Sequence, residues 1–162
     1  MDLMHWLATN KDSIEALFYF ASGAAALFAG WTYWRNARTR RAEWLFSLYQ
    51  KFFEGAHYKN VRFILDYQPE PEFSSLKEAV EEDRADQQVE QLVDYLNFFE
   101  FTARLWHSRQ LTLNEIDGLF NYYLGNLTKH DFVREFLKKG FEALQALLDI
   151  MERKGLFKRE GT

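Results

Sequence analysis

The chain has 162 residues, of which 18% are aromatic, and its formal net charge is -4. This length fits one folded domain with an appendage, and the aromatic content is ample for a core. The chain has no cysteine, which excludes disulfides, thiolate metal sites, a cysteine nucleophile and S-palmitoylation. With 2 Pro and 8 Gly, the composition favours long helices over the turn-dense layout of an all-β fold.

The first predicted element is the uncharged run at 16–34, ALFYFASGAAALFAGWTYW. As a helix, these nineteen residues extend about 28 Å, close to the roughly 30 Å hydrocarbon thickness of a bilayer. Aromatic residues lie at both ends, as is typical of membrane interfaces. We therefore expect a single transmembrane helix over 16–34 after a short extracytoplasmic segment at 1–15. A buried helix of a soluble protein is the alternative, and the acidic leading residues disfavour a cleavable signal peptide.

Small residues occupy one face of this predicted helix. Ser22, Ala26 and Gly30 are spaced four apart. This spacing lets two membrane helices approach each other closely, so it predicts a homo-oligomer that forms through this face. The alternative is a helix that only tolerates small residues there.

A basic cluster follows the run directly. Its members are Arg35, Arg38, Arg40 and Arg41, and they contribute +4, whereas residues 42–162 carry a net side-chain charge of -6. Because basic residues beside a span stay in the cytoplasm, we expect the N-terminus outside and a helical domain at 35–154 inside. Contact with anionic membrane lipids is a second interpretation of the same arginines. The acidic balance of the rest of the chain disfavours nucleic-acid binding.

Further helices are predicted along the chain. No Gly or Pro interrupts 31–54, so the membrane helix is expected to continue until Gly55 ends it. A second helix at about 56–67 stops before Pro69 and Pro71. The stretch 70–94 carries nine acidic residues and is expected to be a solvated surface. The helix at about 87–107 is apolar on more than one face, which predicts a central position.

The last elements are also helical. Thr112 and Glu115 form a capping-box signature before a helix that reaches Leu127. A short helix and a final helix are separated by Gly140, and the tail at 155–162 is expected to fray. No segment alternates apolar and polar residues as a strand does. The predicted fold class is therefore all-α, with the N-terminal transmembrane helix continuing into an irregular antiparallel bundle of five or six helices.

Polar residues within the apolar central helix form the candidate site. Helical spacing places Asn97, Glu100 and Arg104 on one stripe. A buried carboxylate needs a cation, which Arg104, Arg62 or Arg134 would supply. Asn97 and Glu100 are then either internal polar struts or a site that binds a ligand or performs acid/base chemistry.

No catalytic or cofactor motif is present. The four histidines do not form an H-E-x-x-H or E-x-x-H arrangement, and the chain has no glycine-rich phosphate motif and no G-x-S-x-G elbow. His130, Asp131 and Glu135 come closest to a metal cluster, but they fall at a helix start, where acidic residues favour the exposed amides. We expect no metal, no cofactor and no catalytic residue.

Several of these features resemble a family of small bacterial membrane-anchored helical proteins catalogued as a domain of unknown function. The features are the span, Arg38, Arg40 and Arg41, the run Leu96-Asn97-Phe98-Phe99-Glu100, and the closing Gly140-Phe141-Glu142. The resemblance implies a bacterial inner-membrane protein with a cytoplasmic helical domain, and it implies no settled activity.

The functional expectation is a non-enzymatic, membrane-tethered helical scaffold, self-associating and binding an unidentified cytoplasmic protein. Two alternatives stay open. One is a small-molecule or lipid-binding regulator that uses an aromatic pocket near Glu100. The other is a membrane effector whose oligomers form a pore.

Overall fold

The computed structural model describes residues 11–157, with side chains at residue 15 and from residue 18 onwards. This part of the chain holds seven helices and no strand, which confirms the predicted all-α class. The helices are α1 (Lys11–Glu54), α2 (Ala56–Tyr67), α3 (Glu72–Glu81), α4 (Gln87–His107), α5 (Leu113–Lys129), α6 (Asp131–Leu137) and α7 (Glu142–Arg153). The chain divides into two compact units, and the boundary lies within α1, after Leu48.

The first unit is formed by α1 up to Leu48. The hydroxyls of Thr32 and Thr39 donate to the carbonyl oxygens four residues earlier, at 2.8 and 3.2 Å, so their polar groups are satisfied within the helix. None of the helices that the structure describes combines the length and the apolar character that crossing a membrane requires. The transmembrane assignment of 16–34 is therefore not supported by the structure: the run is helical, but its serine, glycine, threonine and tyrosine residues lower its mean hydropathy.

Helix α4 is the most buried helix of the second unit and packs against α2, α3 and α7. Asp86 caps its start by accepting a hydrogen bond from the Gln88 amide at 2.8 Å. Buried apolar residues lie on more than one face of the helix: Leu92, Tyr95, Leu96, Phe98, Phe99 and Ala103. Burial on more than one face explains why this helix is apolar nearly all round.

An aromatic cluster centred on Phe52 forms the core of the second unit. Phe52 lies in the last turn of α1 and is fully buried. Its ring centroid lies 5.0 Å from Phe98, 5.2 Å from Phe99 and 5.4 Å from Phe120. Aromatic pairs at such distances contribute about 0.5–1.5 kcal/mol each beyond the burial of their area. This cluster joins the end of α1 to α4 and α5.

Helix α3 was not predicted. The acidic stretch that includes it was expected to be a solvated surface, yet α3 buries Leu76, Ala79 and Val80. These three residues follow the spacing of one helical face, while Glu78 and Glu81 remain exposed. A short apolar stripe inside a highly charged segment is thus enough for a surface helix to pack against α4 and α6.

Two glycines set the boundaries between helices. At Gly55, between α1 and α2, an added Cβ would lie 2.8 Å from Cδ2 of Tyr58 and 3.0 Å from the carbonyl oxygen of Lys51. Gly140, between α6 and α7, has φ +139°, which side chains rarely adopt. Gly140 is thus favoured by its backbone conformation, whereas Gly55 is favoured by the little space that its neighbours leave for a side chain.

The predicted capping box opens α5. The Thr112 amide donates to Glu115 Oε2 at 2.7 Å, and the Glu115 amide donates to Thr112 Oγ1 at 3.3 Å. After α7, the carbonyl oxygen of Leu156 accepts a hydrogen bond from Asn121 Nδ2 at 3.1 Å, so the first residues of the expected frayed tail are held. Residues 158–162 of that tail, and residues 1–10 of the expected extracytoplasmic segment, lie outside the described residues.

Candidate functional site

The segment 18–34 of α1 presents its large apolar side chains to the solvent. Phe20 is 81% exposed and Leu27 is 78% exposed. The other exposed rings of this segment are Phe18, Tyr19, Phe28, Trp31, Tyr33 and Trp34. Transferring one large apolar side chain from water to an apolar surrounding is favourable by about 1.5–3 kcal/mol. Covering these side chains with lipid or with another protein is therefore favourable in free energy.

Two of the four predicted flanking arginines stack on tryptophan rings. The guanidinium carbon of Arg35 lies 5.7 Å from the ring centroid of Trp31, and that of Arg38 lies 5.3 Å from Trp34. Both distances are within the range of cation–π attraction, about 6 Å. The four-residue spacing of each pair places its members on the same helix face. Arg40 and Arg41 are exposed on the same helix.

The predicted packing face of small residues is open. Ser22, Ala26 and Gly30 are all exposed. No heavy atom lies within 4 Å of the position that a Cβ would take at Gly30. The face is therefore sterically free to receive a second helix.

Glu100 is buried, and both of its carboxylate oxygens have partners. Its Oε1 accepts a hydrogen bond from Arg104 Nε at 3.0 Å, and Arg104 Nη2 lies 2.9 Å from the same oxygen as an ion pair. Its Oε2 accepts from the Leu144 amide at 2.8 Å. Leu144 lies in the first turn of α7, where amides lack partners within the helix. Glu100 therefore caps α7 across 44 residues of sequence while Arg104 balances its charge.

Asn97 does not share this buried arrangement. Asn97 is exposed, whereas Glu100 is only 6% exposed. The two residues were predicted to form one polar site on α4. Helix packing separates them, because α7 covers Glu100 and leaves Asn97 in solvent.

The other two candidate cations also lie elsewhere. Arg62 donates to the carbonyl oxygens of Phe52 at 2.7 Å and Phe53 at 3.1 Å, in the last turn of α1. Arg134 pairs with Asp131 on α6 and lines a cleft of about 330 Å³ between α5, α6 and α7. Arg104 alone of the three supplies the counterion of Glu100.

The position of Arg62 was not foreseen from the sequence. It is buried, and its guanidinium lies 4.8 Å from the Phe52 ring centroid and 5.0 Å from that of Phe53. A cation beside the last carbonyls of a helix is stabilised by the helix dipole. Arg62 thus supplies hydrogen-bond donors to the last carbonyl oxygens of α1, and its guanidinium covers the aromatic cluster. The signal in the sequence is a lone arginine on the apolar stripe of α2.

Asp66 and Asn126 form a second polar contact between α2 and α5. Asn126 Nδ2 donates to Asp66 Oδ1. Partial burial raises the pKa of Asp66 above its ordinary value, and the Asn126 hydrogen bond and the Arg62 charge act in the opposite direction. These groups fix how α2 and α5 pack.

His130 is buried between aromatic rings and serves a structural contact. Its Nε2 lies 3.1 Å from the carbonyl oxygen of Leu65, to which the neutral ring donates. Burial lowers its pKa below the ordinary value. Asp131 pairs with Arg134, and Glu135 pairs with Lys138 at 2.6 Å. Within residues 11–157, no group of His, Cys, Asp or Glu is arranged to hold a metal ion.

Exposed aromatic rings also occur on the second unit. Phe63 and Tyr67 lie one turn apart on α2, with ring centroids 5.4 Å apart, and Tyr122 is exposed on α5, which packs against α2. Aromatic residues are enriched where proteins bind other proteins. Phe63, Tyr67 and Tyr122 thus form an exposed aromatic surface on these two helices, the α2–α5 surface.

Comparisons with protein-family models, curated proteins and solved structures found no match for this chain. The resemblance drawn from the sequence motifs therefore stays a prediction.

Proposed function

We propose that this protein is a non-enzymatic helical module that is tethered to the bacterial inner membrane by residues 16–34. Residues 35–154 then form a cytoplasmic domain that holds a protein partner near the membrane. The observation that carries the proposal is the exposure of the large apolar side chains along 18–34. An exposed apolar helix next to four arginines fits a lipid surrounding with a cytoplasmic C-terminal side.

The geometry of Glu100 supports a scaffold over an enzyme. Both carboxylate oxygens are engaged, one by an arginine and the other by a backbone amide. A general base or a ligand-binding carboxylate needs a free oxygen facing a cleft. The α2–α5 surface, with Phe63, Tyr67 and Tyr122 exposed, offers a place for the partner.

Self-association through Ser22, Ala26 and Gly30 is part of the proposal. The face is exposed, and backbones approach most closely where side chains are small. A second copy of the chain would cover this face of α1, while lipid would cover the other apolar faces.

Fractionation tests the membrane location directly, which matters because the helix falls short of the apolar character of a span. We expect the full-length chain to sediment with membranes and to need detergent for release. Phe20→Arg with Leu27→Arg places two charges in the segment and shifts the protein to the supernatant, because a charge near the middle of the segment, as at Leu27, costs about 2.5–3.5 kcal/mol at the centre of a bilayer. Phe46→Arg with Phe101→Arg is the matched control, because it adds the same charge at exposed aromatic positions outside 16–34 and outside the α2–α5 surface.

Wild-type protein in the supernatant after ultracentrifugation without detergent would overturn the membrane location. Equal release of both double variants would do the same, since the effect would then follow charge alone. Chemical cross-linking in native membranes is expected to give a dimer and a partner adduct. A monomer without adducts would remove the scaffold role.

A further inference from the structure

The arginines of the cluster do not all lie on the same face of α1. Arg35 and Arg38 each lie over an indole ring of the preceding helical turn. Trp31, Trp34, Arg35 and Arg38 follow the spacing of a single helix face, whereas Arg40 points about half a turn away from it. The same local charge is thus presented in two different surroundings on one helix.

A guanidinium stacked on a ring keeps its donors available. The ring attracts the positive charge but, unlike a carboxylate, does not pair with the N–H groups in the plane of the guanidinium. Arginine binds phosphate oxygens with two parallel hydrogen bonds, and it is less strongly hydrated than lysine. The two stacked arginines are therefore oriented to bind phosphate groups beside the tryptophans.

The surroundings favour an anion at this face. The sequence contains no Asp or Glu between Glu15 and Glu43, so no carboxylate of that stretch competes for these arginines. Trp31 and Trp34 are 54% and 61% exposed. Tryptophan rings settle at the depth of lipid headgroups, where the phosphates are.

From this arrangement we infer that Trp31–Arg35 and Trp34–Arg38 form a binding face for the phosphate groups of anionic phospholipids in a bilayer. The inference rests on the proposed membrane tether and adds the class of lipid that the tether selects. Zwitterionic lipids offer the same phosphate but carry a cationic group beside it, which the arginines repel. The face therefore prefers lipids whose net charge is negative.

The experiment uses the full-length chain in vesicles and its own tryptophan fluorescence. Flotation with vesicles of phosphatidylcholine alone reports the tether. In mixed vesicles with about one third phosphatidylglycerol, quenching by brominated phosphatidylglycerol is compared with quenching by brominated phosphatidylcholine. We expect the anionic lipid to be enriched about fivefold around the protein, the ratio given by one interfacial arginine contact.

Two charge-matched variants separate a built face from diffuse attraction. Arg38→Gln should bring the lipid ratio most of the way to one, while Arg40→Gln, which removes the same charge from the opposite side of the helix, should keep most of the preference. Equal losses in the two variants would overturn the inference, because charge number alone would then explain the selectivity. A wild-type ratio of one would overturn it as well.

Failure of the tether gives a different result. If the wild-type chain does not float with phosphatidylcholine vesicles, the membrane tether fails. Flotation that nevertheless appears with phosphatidylglycerol vesicles, and is lost in Arg38→Gln but kept in Arg40→Gln, would support the phosphate-binding face on its own. Flotation with neither vesicle overturns both.

Discussion

At the scale of single residues, Glu100 shows how a buried carboxylate serves structure. Glu100→Ala leaves the buried Leu144 amide without its acceptor, which costs about 1–3 kcal/mol of the free energy of unfolding. Glu100→Gln keeps an oxygen acceptor for that amide and loses mainly the ion pair with the 66% exposed Arg104 side chain, which contributes at most about 1 kcal/mol. Urea denaturation measures the free energy of unfolding of both variants, provided that the dependence of this free energy on urea concentration is the same in each.

The order of the two effects is the informative result. We expect alanine to destabilise more than glutamine. Equal destabilisation would assign the role of Glu100 to its charge, and unchanged stability in both variants would reopen the prediction of a ligand site.

His130 makes stability depend on pH. Its pKa is lowered by burial from an ordinary value of 6.5, so near and below that pH the unfolded chain binds a proton that the folded chain does not. The stability that His130 provides is thus complete above about pH 6.5 and is lost as the pH falls through that value towards the lower folded pKa. Asp66 acts with the opposite sign at lower pH, because its pKa is raised above 3.8.

A glutamine at position 130 removes the titration and keeps a donor. We expect His130→Gln to flatten the dependence of unfolding free energy on pH between about pH 7.5 and 5.5. His107→Gln is the matched control, since His107 is exposed. If the control flattens the profile equally, the dependence does not come from the buried histidine.

The residues of the site differ in how far the sequence predicts them. The pairing of Glu100 with Arg104 follows from helical spacing, because both lie on α4 four residues apart. The Leu144 amide and the carbonyl oxygens beside Arg62 come from other helices. Spacing along one helix carries no information about which other helix packs against it, so Arg62 and Arg134 stayed open as alternatives to Arg104.

At the scale of helices, we expect alanine substitutions at Gly55 and Gly118 to have opposite effects on stability. Gly55→Ala introduces a Cβ that meets the Tyr58 ring and a backbone oxygen at 2.8 and 3.0 Å, and overpacking of this kind costs about 1–3 kcal/mol. Gly118 lies exposed inside α5 with no heavy atom within 4 Å, so Gly118→Ala should stabilise by about 0.5–1 kcal/mol. Thermal unfolding of the two variants checks the contrast, and a shift of the same sign in both would contradict it.

Helices with strong local signals were predicted close to their observed limits. Helix α4 carries a continuous apolar pattern, and α5 begins with a capping box that the structure contains. Helix α3 lacks such signals, since its stripe of Leu76, Ala79 and Val80 is short and most of its neighbours are acidic. Tertiary packing stabilises this helix, and its acidic composition led to the prediction of a solvated surface instead.

At the scale of the whole molecule, charge and packing divide the chain at different places. The sequence predicts a boundary at 34/35, where the uncharged run meets the arginines. The structure divides after Leu48, because residues 35–44 are exposed and the aromatic core draws on Phe52. The intervening stretch of α1 begins with Arg35 and Arg38, the two arginines of the phosphate-binding face proposed above.

The contact between Glu100 and the Leu144 amide also bears on the order of events during synthesis. Chains emerge from the ribosome N-terminus first, and α7 is the last helix of the described part. Because α4 packs against α7, the core remains incomplete until nearly all of the polypeptide has been made. The exposed apolar side chains of α1 therefore leave the ribosome before the core of the second unit can close.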